Sequence, residues 1–163
     1  MRRLLAALLT LCALGSPVAA EIGPPTDLAS RARGAGKVVV ARIVDVQAQY
    51  EVNRFGDRLI VSHAVLEVLE TWKGAPQNVL DLAVEGGTVG DMTLRVSDMP
   101  SVRAGERAVF FLDADARGGH TPNGRGRGII KLDDADRVEG ATLSLNDLRQ
   151  QVRGALGQGQ GGR

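Results

Sequence analysis

The sequence predicts a mainly β protein, a small antiparallel barrel or a β-sandwich, with a short helix before the strands and another after them. Three observations predict it. Apolar residues alternate at period two in one run after another, clusters of Gly, Asn, Asp and Pro separate the runs, and no helical pattern is interposed between them.

Each element is legible in turn. "PPTDLASRARGAG" (24–36) reads as a short helix, with Thr26 as N-cap and Gly34 or Gly36 as the stop. "KVVVARIVDVQAQYEV" then turns β-branched. Strict alternation puts Val38, Val40, Val44 and Val46 on one face and Val39, Ala41 and Ile43 on the other, so the strand begins buried on both sides. "NRFGDR" (53–58) carries turn residues, and "LIVSHAVLEVLETW" forms the second arm of a hairpin closed by "KGAPQN". "NVLDLAV" places Leu80, Leu82 and Val84 together. "DMTLRV" places Met92, Leu94 and Val96 opposite Thr93, Arg95 and Ser97, and "ERAVFFLD" and "RGIIKLD" are further short strands. "SLNDLRQQVRGAL" spaces Leu145, Leu148, Val152 and Leu156 helically, with Ser144 as N-cap and Asp147 in the first turn.

The ends carry a different signal. Arg2 and Arg3 precede an apolar stretch from Leu4 to Leu14 and the small residues Val18-Ala19-Ala20, the pattern of a secretory signal peptide cleaved after Ala20 and too short for a membrane span. A lipoprotein is the competing reading, because Cys12 follows Leu9-Thr10-Leu11, but Leu11 stands where a lipobox has a small residue. Residues 1–20 are thus expected to be a signal peptide, 21–156 a single β-barrel domain, and "GQGQGGR" (157–163) a disordered glycine-rich tail. The product is expected in the periplasm or secreted, with no transmembrane segment.

Cleavage changes the balance of charge. The precursor has 20 Lys and Arg against 19 Asp and Glu, so losing Arg2 and Arg3 leaves the mature chain near −1. No global basic field is left to hold nucleic acid. The single cysteine, Cys12, also leaves, which excludes disulfides, thiolate catalysis and cysteine metal sites from the mature chain. About 143 residues then remain, enough for one core.

A helix, the strand "VVVARIVDV", a second strand ending "VLETWKG", then "VEGGTVG", "RAGERAVFFLD" and the closing "SLNDLRQQVR" helix resemble a family of small exported bacterial proteins, most of whose members have no assigned activity. The resemblance spans roughly residues 26–153. Its most specific elements are Trp72-Lys73-Gly74, Gly86-Gly87 with Gly90, and Gly105-Glu106 before Phe110-Phe111-Leu112. Val38 to Gly74 is also similar to netrin-like domains and the tissue inhibitors of metalloproteinases. That similarity implies a small antiparallel barrel of OB type, with the β-sandwich as the alternative. Those inhibitors place an N-terminal disulfide-bonded cysteine at the protease zinc. Glu21 would begin the mature chain here, so inhibition is not carried over.

Several stretches invite chemistry. "VEGGTVG" has the glycine density of a phosphate loop, but phosphate loops run from strand into helix, and the alternating "DMTLRV" follows. Gly86, Gly87 and Gly90 therefore read as a turn or barrel corner, with the neighbouring loops as binding candidates. His63 and His120 are the two histidines. Ser62 and His63 are adjacent in a strand and face opposite ways, which forbids a direct nucleophile–base pair. His120 reads as a solvated loop residue and a weak binding candidate. Asp113 and Asp115 in "DADARGGH" begin like a calcium loop, but Arg117 and Gly124 stand at ligand positions; Asp133, Asp134 and Asp136 also lack a full set. Arg125 and Arg127 in "GRGRG" are too few for RNA recognition. Trp72 is expected on the face of Ile60, Ala64, Leu66 and Val68, either packed at a barrel end or, with Lys73, in contact with a ligand at the barrel mouth.

No cofactor is called for. The expected function is an exported, non-catalytic module that binds a protein or peptide partner, an extracellular protease among the candidates. A hydrolase using His63 or His120 with carboxylates or a metal, and a structural envelope role, are the alternatives.

Overall fold

The computed structural model describes residues 25–53 and 55–157; the expected signal peptide with Cys12, and the tail beyond Gly157, lie outside the described residues. Helix α1 (Pro25–Gly34) leads into β1 (Lys37–Val52), and β2 (Arg58–Lys73) returns beside it. Then come β3 (Val79–Glu85), a small hairpin of β4 (Gly87–Val89) and β5 (Met92–Leu94), β6 (Arg107–Ala114), β7 (His120–Pro122), a 3-10 turn (Arg125–Gly128), β8 (Ile129–Leu132) and α2 (Leu145–Gly157). The first helix begins at Pro25, so Thr26 lies in its first turn rather than at its cap. No helix among the described residues is long and apolar enough to cross a membrane.

The sheet closes on itself. β1 pairs with β2 along one edge and with β6 along the other, and the order β1-β2-β3-β7-β6 returns to β1. Every pairing in the ring is antiparallel except β3–β7, which is parallel and joined through Leu82 and His120. This is a five-stranded barrel of OB type, with β8 added outside the ring beside β6. His120 is therefore not a solvated loop residue. It is half-buried in the short strand that closes the barrel, a role no periodicity in three residues can announce.

Closure gives β1 and β6 two buried faces. Val39, Ala41, Ile43, Ala108, Phe110 and Leu112 point into the barrel with Leu66, Leu82 and Val84. Val38, Val40, Val109 and Phe111 point outward and are covered by the helices, through Ala32, Leu148 and Val152 among others. Phe110 and Phe111, both fully buried, belong to different cores. The second helix carries the expected reciprocal cap: Asp147 N–H donates to Ser144 Oγ (3.2 Å), and Ser144 N–H donates to the Asp147 carboxylate (3.0 Å).

Three register shifts interrupt β1–β2, and they change which way the side chains face. Ile43 opposes Leu66 and Asp45 opposes Val65, so Val44 is an extra residue. Val44 is accordingly exposed, while Val46 joins the barrel interior instead of sharing a face with Val38 and Val40. On β2, Leu69 and Trp72 are the residues skipped. Trp72 thus leaves the face of Leu66 and Val68 and packs beneath the helices, its indole N–H donating to Glu70 (3.0 Å) with the Arg149 guanidinium 5.8 Å from its ring.

Trp72-Lys73-Gly74 thus ties β2 to the helices. The Lys73 ammonium donates to the carbonyls of Ala32 (3.1 Å), Arg33 (2.8 Å) and Ala35 (2.5 Å), which closes the C-terminal end of α1 with a cation where the helix dipole favours one. Lys37 likewise reaches Ala75 O (2.7 Å) and Gln77 (2.5 Å). Replacing Lys73 with Met keeps the stem and removes the donors. It is expected to lower unfolding stability by about 1–2 kcal/mol in urea titration, with faster amide exchange in α1 than in α2.

Candidate functional site

A cleft of about 660 Å³ opens at one mouth of the barrel. Its floor is the inner face of the sheet: Val46 and Ala48 from β1, Ser62 from β2 and Val84 from β3. Val46 and Ala48 face inward only because of the extra residue at Val44. One wall is the β4–β5 hairpin, through Thr88 and Thr93, whose hydroxyls lie 2.9 Å apart. The other is the segment from Leu94 to Arg103, including Arg95, Met99, Val102 and Arg103. The lining is mixed: an apolar floor, a rim of hydroxyls and two guanidiniums.

Polar ties hold the walls. Arg125 donates to Glu85 (2.9 Å) and pairs with Asp98, which fixes the 96–103 segment to β3 and holds the Asp98 carboxyl below the usual range. Gly126 N–H donates to Asp98 O (3.0 Å), and a Cβ at Gly126 would come within 2.1 Å of that carbonyl. The "GRGRG" stretch is thus a clasp for the cleft wall. Glu106 receives both its bonds from Lys131 at 2.9 Å and also caps Arg103 N–H (3.1 Å).

The first two glycines of "VEGGTVG" stand where backbone and side chain approach closely. Ser62 Oγ donates to Gly86 O (2.7 Å), and Gly87 has a φ of 134° with Ser62 Oγ only 2.4 Å from where a Cβ would stand. Gly90 sits in the β4–β5 turn and does not line the cleft.

Of the residues singled out from sequence, then, Gly86 and Gly87 meet at the cleft, and Trp72, Lys73, Gly90 and His120 do not. His120 Nδ1 lies 3.3 Å from Asp81 O. Asp113, a candidate metal ligand, instead accepts Gly36 N–H (3.1 Å) and the Asn123 amide (2.8 Å), and Asp115 shapes the β6–β7 turn through Gly118 N–H and Gly119 O. Among the described residues no three His, Cys, Asp or Glu side chains gather into a metal-holding group. Sequence reasoning missed Arg95 and Arg103 as cleft residues. The available signal was the irregular interval "SDMPSVRAG", in which Met99 and Val102 are apolar without alternating.

A second cluster lies on the opposite surface of the sheet. Ser62 faces inward, and His63 faces outward, where its Nε2 lies 2.5 Å from Glu51 Oε1. Glu51 also accepts Gln49 Nε2 (3.0 Å) and pairs with Arg117 of the β6–β7 turn. The Gln49 amide foremost, then His63 and Arg117, pull the Glu51 carboxyl down from 4.5 to about 2. The arrangement ties the outer β1–β2 hairpin to the barrel.

Comparison with protein-family models and with curated proteins finds no match for this chain.

Two outcomes follow from this geometry. Gly87→Ala forces a side chain against Ser62 at positive φ and is expected to cost about 2–3 kcal/mol by chemical denaturation. Because the Glu51 pKa is depressed in the folded state, its stabilisation is present above pH 4.5 and declines as pH falls toward 2. Glu51→Gln is therefore expected to be less stable than the parent by about 1 kcal/mol at pH 7, a figure held down by the exposure of its partners, and to match it near pH 2 in denaturation curves.

Proposed function

We propose that this protein is an exported, non-catalytic binding module that takes an extended segment of a protein or peptide partner into the cleft at the barrel mouth. The observation that carries this reading is the cleft itself. Its volume lies within the ~300–1,000 Å³ range of ligand sites, and an apolar floor is set among a few convergent polar groups. Neither histidine lines it, and the serine on its floor is committed to a backbone carbonyl, which favours binding over hydrolysis. Export is supported by the N-terminal pattern of Arg2, Arg3 and Leu4–Leu14. A protease as partner is supported by the netrin-like similarity of Val38–Gly74, an analogy of fold.

Trp72 is not the residue to test, since it packs between sheet and helices and its loss would disturb the fold. A photo-reactive side chain at Ser101, an exposed residue on the cleft wall, is expected to cross-link a discrete partner in the producing cell. The same group at Val79, exposed away from the cleft, is expected not to. Thr88→Trp, which fills the cleft from its rim, is expected to reduce the Ser101 product at least about tenfold. Equal labelling from both positions, or none from Ser101, would remove the cleft as the binding surface.

A further inference from the structure

Resting on that reading, we infer that the cleft selects an acidic segment: an extended peptide that alternates carboxylate with apolar side chains. The argument is one of uncompensated charge. Three carboxylates, Glu85, Asp98 and Glu106, stand around the cleft, and each is engaged by a cation. Glu85 and Asp98 share Arg125, and Glu106 holds Lys131 and the Arg103 backbone N–H. Arg95 and Arg103 line the cleft from its outer wall, are exposed, and form no ion pair among the described residues. The chain is near neutral as a whole, so the positive potential of this mouth is local and arises from how the neighbouring acids are occupied.

The chemistry around the two guanidiniums narrows the ligand. Each is a planar fork suited to bidentate capture of a carboxylate. Thr88, Ser97 and Ser101 add hydroxyls at the rim, and Val46, Ala48 and Val84 offer a floor for an apolar side chain between two acidic ones. Among the described residues no aromatic side chain lines the cleft, so they offer no stacking platform of the kind that single-stranded nucleic acid requires. Two cations on one wall above an apolar floor match a peptide that turns its carboxylates to the wall and its apolar residues to the sheet.

The test uses the mature chain and fluorescein-labelled octapeptides in which Val alternates with Glu, Gln or Lys, read by fluorescence anisotropy at low and high salt. The Glu peptide is expected to bind at least about tenfold more tightly than the Gln peptide, with an affinity that falls as salt rises, and the Lys peptide is expected not to bind. Arg95→Glu combined with Arg103→Glu is expected to abolish the preference. Both residues are exposed, and circular dichroism confirms the fold of that variant. Arg42→Glu, exposed on β1 and outside the cleft, is the control expected to keep it. Equal binding of all three peptides overturns the acidic selection and leaves the cleft as a peptide site. Binding of none overturns both, and tighter binding of a labelled oligothymidylate than of the Glu peptide overturns the choice of peptide.

Discussion

Strand β1 is committed in every direction at once, and the rest of the structure depends on that. Over Val38–Arg42 its backbone bonds to β2 on one edge and to β6 on the other. Its side chains fill the barrel on one face and the helix-covered core on the other. No sheet edge is left open there, and over Val38–Ala41 neither face is left wet. Burying four consecutive apolar residues, Val38–Ala41, in this way contributes on the order of 1.5–3 kcal/mol for each larger side chain. It also fixes where both helices must lie, because Val38 and Val40 have nothing else to cover them.

The polar residues then follow from the apolar ones. A helix laid across the outside of a barrel ends near the sheet with unsatisfied carbonyls, and Lys73 arrives from β2 to meet them. Glu70 on the same strand binds Arg149 of α2 through two bonds, at 3.0 and 2.6 Å, and its carboxyl is held below its ordinary range mainly by that guanidinium. Arg125 does for the cleft wall what Lys73 does for α1. These side chains place loops and helix ends that the hydrophobic pattern leaves undetermined. Arg107 is the exception among them: it pairs with Asp136, yet its Nε is buried without a partner.

Much of this was legible in the chain. The β1–β2 hairpin, the double burial of β1, both helices and the opposition of Ser62 and His63 all follow from period two and period 3.6 patterns. The faces of Val46 and Trp72 did not, because alternation can be counted only until a residue is skipped, and neither Val44 nor Leu69 differs in character from its neighbours. Strand β7 is three residues long and is a strand only because β3 and β6 flank it. The cleft was half visible. Gly86 and Gly87 marked a place where backbones approach closely. Arg95 and Arg103, though, become a pair only once the 96–103 segment is folded across the barrel mouth, and the fold of that segment is set by Arg125, far along the chain.

The extra residue at Val44 also decides how the chain tolerates changes of length. Upstream and downstream of it, β1 runs in opposite phase, and the downstream phase is what turns Val46 and Ala48, rather than Asp45 and Gln47, toward the cleft. An insertion or deletion at the Asn53–Asp57 bend alters only how far the hairpin reaches. Straightening the ladder with every residue kept would turn Asp45, Gln47 and Gln49 inward and exchange an oily floor for a carboxylate and two amides, whereas deleting Val44 would restore plain alternation from Ile43 to Asp45 and leave Val46 and Ala48 facing the cleft. Evolutionary drift in this protein is therefore constrained less by what stands at position 44, which solvent tolerates in many forms, than by the pairing of Asp45 with Val65, which sets the phase of everything beyond it.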